Sequence, residues 1–106
     1  MIVIYHSERV YMKRFSILQD EMTECYFCGT RNNLHIHEVY FGTANRQKSI
    51  KYGCCVSLCA MHHNLSNEGV HFNKELDLHL KKEMQKKFIE VYPDLDFLKI
   101  FGRNYL

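Results

Sequence analysis

The sequence predicts a small α+β domain braced by metal, on three observations. Two paired-ligand motifs, Cys25-x-x-Cys28 and Cys59-x-x-His62, stand either side of the chain's middle. Two short strand-like runs lie next to them, and a single long helical stripe follows. A chain of 106 residues seldom builds two independent cores, and at this size a metal ion supplements a thin one. The composition, 46% hydrophobic and 25% charged, excludes long disorder. Basic residues exceed acidic ones by only two, so any argument for a nucleic-acid partner has to rest on a site and not on net charge.

The opening run Met1-Ile-Val-Ile-Tyr5 is too short for a signal h-region or a membrane span, so the chain is expected in the cytoplasm with no membrane partner. Between there and Cys25 two readings stand open: Ser7 capping a short helix through Gln19, or a strand at Phe15-Ser-Ile-Leu18. Cys25-Tyr-Phe-Cys28-Gly29 has the form of a knuckle, with Gly29 supplying the positive φ that reverses the chain. Leu34-His-Ile-His-Glu-Val-Tyr40 alternates as a strand, with Leu34, Ile36 and Glu38 on one face and His35, His37 and Val39 on the other. The polar, basic stretch from Phe41 to Tyr52 reads as a loop containing a turn of helix. Cys54-Cys-Val-Ser-Leu58 is a second strand, delivering Cys59 and the His62-His63 pair to a tight turn or helix start.

From Asn73, a plausible N-cap, the residues Leu76, Leu80, Met84, Phe88 and Val91 recur at three- and four-residue steps and define one buried stripe. Pro93 ends that helix, and Asp94 to Phe101 forms a last short one stopped at Gly102. The expected core is Leu34, Ile36, Val39, Val56 and Leu58 packed on the stripe. Lys81, Lys82, Lys86 and Lys87 cluster on the long helix, but Glu75, Asp77 and Glu83 dilute their field.

Five cysteines cannot all pair within one chain, and this usage suits a reducing compartment and metal ligation. Cys25, Cys28, Cys59 and His62, arriving as two pairs, fit a closed tetrahedral structural Zn2+. Consecutive His62 and His63 cannot both face that ion, which leaves His63, with His37 and His71, for a second and open site. His6, His35 and His79 receive no role.

Taken together, Cys25-x-x-Cys28, His37-Glu38-Val-Tyr-Phe-Gly42, Leu58-Cys59-x-x-His62-His63-Asn64 and Gly69-Val-His71-Phe72 resemble the HNH endonuclease domain of small phage and prophage proteins. The likeness covers residues 15–106, leaving 1–14 as an N-terminal extension. It implies a ββα-metal (His-Me finger) core, with the zinc knuckle as a separate site. It also implies metal-dependent hydrolysis of DNA phosphodiester bonds, the catalytic divalent ion being Mg2+, Mn2+, Ni2+ or Zn2+.

Residue by residue, His37, His63 and His71 match metal ligands, while Glu38 falls where most relatives carry the histidine that acts as general base. Either Glu38 or His37 can be the base on this reading. The motif's asparagine is displaced. Asn45 is the substitute that would orient the base, with Asn64 competing. Arg46, Lys48 and Lys51, between the two site segments, would hold flanking phosphates. The alternative is a catalytically inactive zinc-stapled DNA-binding or adaptor module. A third reading is a subunit acting with phage packaging or recombination proteins.

Overall fold

The alternating segment Leu34–Glu38 forms strand β1, and Cys55–Cys59 forms β2, in an antiparallel two-stranded sheet with Leu34 opposite Cys59, Ile36 opposite Ser57 and His37 opposite Val56. Between them runs helix α1, Arg46–Tyr52; after them come a π-helical turn, Met61–Leu65, helix α2, Lys74–Val91, and helix α3, Phe97–Phe101. The structure, a computed structural model, describes residues 13–65 and 69–106. The Met1–Tyr5 run, the Ser7 cap, His6 and most of the 1–14 extension lie outside the described residues. Among those described, no helix is long and apolar enough to cross a membrane.

All five residues of β2 are buried, although among the described residues it has one strand partner. Its other edge is covered by the segment leading to the first cysteine. Ser16 bridges Cys54, Ile17 N–H donates to Gly53 O at 2.9 Å, and Tyr26 N–H donates to Ser57 O at 2.9 Å. Gln19 adds a side-chain rung, its Oε1 accepting from Ser57 N–H at 2.8 Å. Of the stretch 15–18 only Ser16 pairs, and Ile17 and Leu18 are bends held by the Ser16 hydroxyl, which accepts from Leu18 N–H and Gln19 N–H, so residues 13–19 form neither the expected strand nor a helix. Gly53, at φ 78°, turns the chain from α1 into β2, and a Cβ there would run into the Phe15 ring.

The 41–52 stretch holds more helix than its polarity suggests. α1 spans seven residues because Ser49 and Ile50 are buried, and Ser49 Oγ donates to Tyr40 O at 2.7 Å while accepting from Tyr40 N–H at 3.1 Å. Tyr40 in turn donates its hydroxyl to Lys81 O at 2.6 Å and lies among Phe97, Phe101 and Tyr105. This one residue ties the end of β1 to all three helices.

α2 begins as its sequence indicates, with the Asn73 side chain accepting from Leu76 N–H at 3.0 Å and two acidic residues in the first turn. Leu80, Met84 and Phe88 are fully buried against Val56, Leu58, Phe97 and Phe101. Two expected core residues are not. Val91 is 42% exposed, because the four-residue step from Phe88 falls on Tyr92, which packs on the core and donates its hydroxyl to Tyr52 O. Ile36 is 46% exposed, because its part of β1 borders an open cleft and not the interior.

Candidate metal centres

The first knuckle is closed by Gly29 N–H donating to Cys25 O and Cys25 N–H donating to Thr30 O, each at 2.8 Å, with Gly29 at φ 78°. The second is delivered by the end of β2 and the π-helical turn. These place Cys28 Sγ 3.8 Å from Cys59 Sγ, Cys25 Sγ 3.7 Å from His62 Nδ1 and Cys59 Sγ 3.2 Å from the same nitrogen. A tetrahedron with Zn–S of ~2.3 Å and Zn–N of ~2.0 Å has edges of roughly 3.8 Å between sulfurs and roughly 3.5 Å from sulfur to nitrogen. The observed edges match, so Cys25, Cys28, Cys59 and His62 form a cluster that can hold a structural metal such as zinc. Burial raises the Cys25 thiol, but the backbone N–H groups of Cys59, Cys28 and Phe27 outweigh it and bring it down to about 6. That favours the thiolate a zinc ligand needs. Cys54 and Cys55 stay outside the cluster, and burial pushes both thiols up, Cys55 to about 12.

The π-helical turn explains how two neighbouring histidines serve different places. His62 turns to the sulfur cluster, while His63 turns to His37 on β1 and His71 on the turn before α2. His71 is brought there by a close approach of two backbones: Val70 N–H donates to His62 O at 2.8 Å and His71 N–H to His63 O at 3.3 Å. Gly69 permits it, since a Cβ there would stand 2.9 Å from the His63 carbonyl carbon and oxygen. The ring centroids lie 5.2 Å apart for His37 and His63, 5.2 Å for His37 and His71, and 4.7 Å for His63 and His71.

His63 Nε2 and His71 Nε2 are 3.2 Å apart, close to the ~3.3 Å edge of a tetrahedral nitrogen pair. His37, 3% exposed, leaves its Nε2 without a hydrogen-bond partner. Such an orphan costs about 1–3 kcal/mol, a cost that a bound cation would remove. Burial, reinforced by His63, His71 and Lys81, pushes the His37 pKa down to about 3, so the ring is neutral at physiological pH. Burial, with His71 and His35, lowers His63 against a partly opposing Glu38. His37, His63 and His71 form a second group able to hold a metal ion.

These rings open on a cleft of about 580 Å³ whose wall also carries Glu38, Arg14, Arg46 and Phe41. Both carboxylate oxygens of Glu38 are engaged: Arg14 Nε donates to Oε2 at 2.9 Å, and Arg46 Nε lies 3.3 Å from Oε1. Arg14 therefore belongs with the site, although the sequence boundary had left it in the extension.

Other expected residues are elsewhere. Asn45, expected to orient the base, donates its amide to Phe101 O at 3.2 Å and is absent from the cleft wall. The physical reason is the docking of α3, whose terminal carbonyls need donors. Lys48 is captured in the same way, donating to Ile100 O at 2.7 Å. Lys51 is exposed, with its ammonium over the Tyr52 ring. Of the three basic candidates only Arg46 reaches the cleft.

The long-helix lysines are interleaved with acids, Lys81 with Asp77, Lys86 with Glu83 and Lys87 with Glu90. His79 is exposed, as expected, but His35 is not idle, since its Nδ1 is 3.0 Å from His63 Nδ1. Its signal was in the sequence, because residues 35 and 37 share a strand face.

No family model matches the chain, and neither the curated proteins nor the solved structures yield a match. The domain is a small mixed α+β unit with two clusters able to hold metal ions.

Proposed function

We propose that the chain is a metal-dependent endonuclease of the HNH (ββα-metal, His-Me finger) type that hydrolyses phosphodiester bonds in DNA. The observation that carries this reading is the convergence of His37, His63 and His71 on an open cleft flanked by two arginines, beside a separate sulfur-rich cluster. Three protein ligands leave coordination positions free, as catalytic rather than structural sites do. A divalent ion there would supply Lewis acidity to a phosphate oxygen and to the leaving 3′ oxygen.

The chain's own residues do the rest. Arg14 and Arg46 place guanidinium groups on the cleft wall, where they can grip phosphates next to the scissile one. With the three imidazoles committed to ligation, Glu38 is the remaining group on that wall able to take a proton from an attacking water. The Cys25, Cys28, Cys59 and His62 cluster holds the π-helical turn, and hence His63, in position.

The test is nicking of supercoiled plasmid by the purified chain with Mg2+, Mn2+, Ni2+ or Zn2+. His37→Ala and His63→Ala are expected to abolish it, and Glu38→Gln to cut kcat on the order of 10²–10⁴-fold. Cleavage that survives both histidine substitutions overturns the reading. One observation favours a second reading, a zinc-stapled DNA-binding or adaptor module without catalysis: both oxygens of Glu38 are held by guanidinium groups. DNA binding with every metal and no cleavage with any would establish that module instead.

A further inference from the structure

We propose that His35 is a positioning residue for the imidazole site, accepting the Nδ1 proton of His63 and so presenting His63 Nε2 unprotonated toward His37 and His71. The inference rests on the three-histidine group binding a metal ion, and not on what that ion then does.

The argument is one of counting protons. A neutral imidazole carries one N–H and one acceptor nitrogen. His63 faces two neighbours with its two nitrogens: Nε2 is 3.2 Å from His71 Nε2, and Nδ1 is 3.0 Å from His35 Nδ1. Ligation through Nε2 requires the lone pair there, which puts the proton on Nδ1. His35 Nδ1 is then the acceptor, and its own proton sits on Nε2, free to meet solvent because His35 is exposed. His35 does not belong to the three mutually close ligand groups, so it orients a ligand and is not one.

The strand supplies both functions, since positions 35 and 37 project from the same face of β1, one residue holding the ion and the other the ring that shares it. Partners of this kind fix the ring orientation of metal-bound histidines, and their loss typically weakens affinity ~10–100-fold.

The experiment titrates the full chain with zinc against a competing chelator, following the first and second equivalents. In parallel, the long-range 1H–15N spectrum of the imidazoles reports which nitrogen of His63 carries the proton. His35→Ala is expected to weaken the second equivalent by roughly 10–100-fold and leave the first unchanged. His35→Asn, whose amide oxygen can stand in for the accepting nitrogen, restores it to within a few-fold, and the zinc-loaded wild type shows His63 protonated at Nδ1. A second equivalent bound equally well by His35→Ala, or His63 ligated through Nδ1, overturns the proposal, as does a wild type that takes up no second ion. Plasmid left uncut by a protein that passes both tests sinks the endonuclease reading alone.

Discussion

Cys28 offers the cleanest separation of metal from packing, because it is the exposed member of the sulfur cluster while Cys25 and Cys59 are buried. Cys28→Ser changes one surface atom, so in metal-free protein it should leave stability within the small range of surface substitutions, about ±0.5 kcal/mol. With zinc the outcome differs. An ion at a free concentration a thousandfold above its Kd stabilises the state that binds it by ~4 kcal/mol. At about 4–8 °C per kcal/mol for a domain near this size, that is a rise in Tm of roughly 15–30 °C. The gain depends on all four ligands, three of whose mutual distances, 3.8, 3.7 and 3.2 Å, suit one tetrahedral ion.

The assay is thermal unfolding by circular dichroism, with zinc or with a strong chelator, of wild type, Cys28→Ser and the non-cluster control Cys55→Ser. Wild type and Cys28→Ser should unfold together in chelator, zinc should raise Cys28→Ser by less than wild type, and wild type and Cys55→Ser should both show the full rise. A Cys28→Ser protein that gains as much from zinc as wild type, or a wild type indifferent to the chelator, refutes the reasoning.

Two further predictions concern the imidazole group. The folded-state pKa of His37 lies at about 3 against an ordinary 6.5, so below 6.5 the unfolded chain binds the extra proton. The stability of metal-free protein should therefore be full above 6.5 and fall as the pH drops toward 3, by at most ~1.4 kcal/mol per unit from this group. Urea titrations at stepped pH should show that slope lost in His37→Gln, and a slope that persists unchanged assigns it to other groups. Gly69→Ala places a methyl against the His63 carbonyl and should move His71 away from His63. Second-equivalent zinc affinity is expected to fall at least tenfold with the first equivalent intact, and equal weakening of both would show a general loss of fold instead.

What the sequence made legible follows the range of the interactions involved. Paired cysteines, the Asn73 cap and the stripe of α2 are set by neighbours a few residues apart, and the structure places them as that spacing predicts. The gathering of His37, His63 and His71 was legible because two strands and a turn sufficed to bring them together. Asn45 and Lys48 were misplaced because their partners, Phe101 and Ile100, lie more than fifty residues away on a helix whose docking no local pattern announces. Ile36 alternates like a core residue, but alternation reveals which face a side chain takes and not what covers that face. Arg14 was hidden by its surroundings, an irregular segment with no periodicity to link it to Glu38.

Adjacent placement of His62 and His63 in one five-residue turn couples the two ligand groups mechanically. The two groups share that turn, so a ligand lost from the sulfur cluster is expected to loosen the footing of the neighbouring tripod as well.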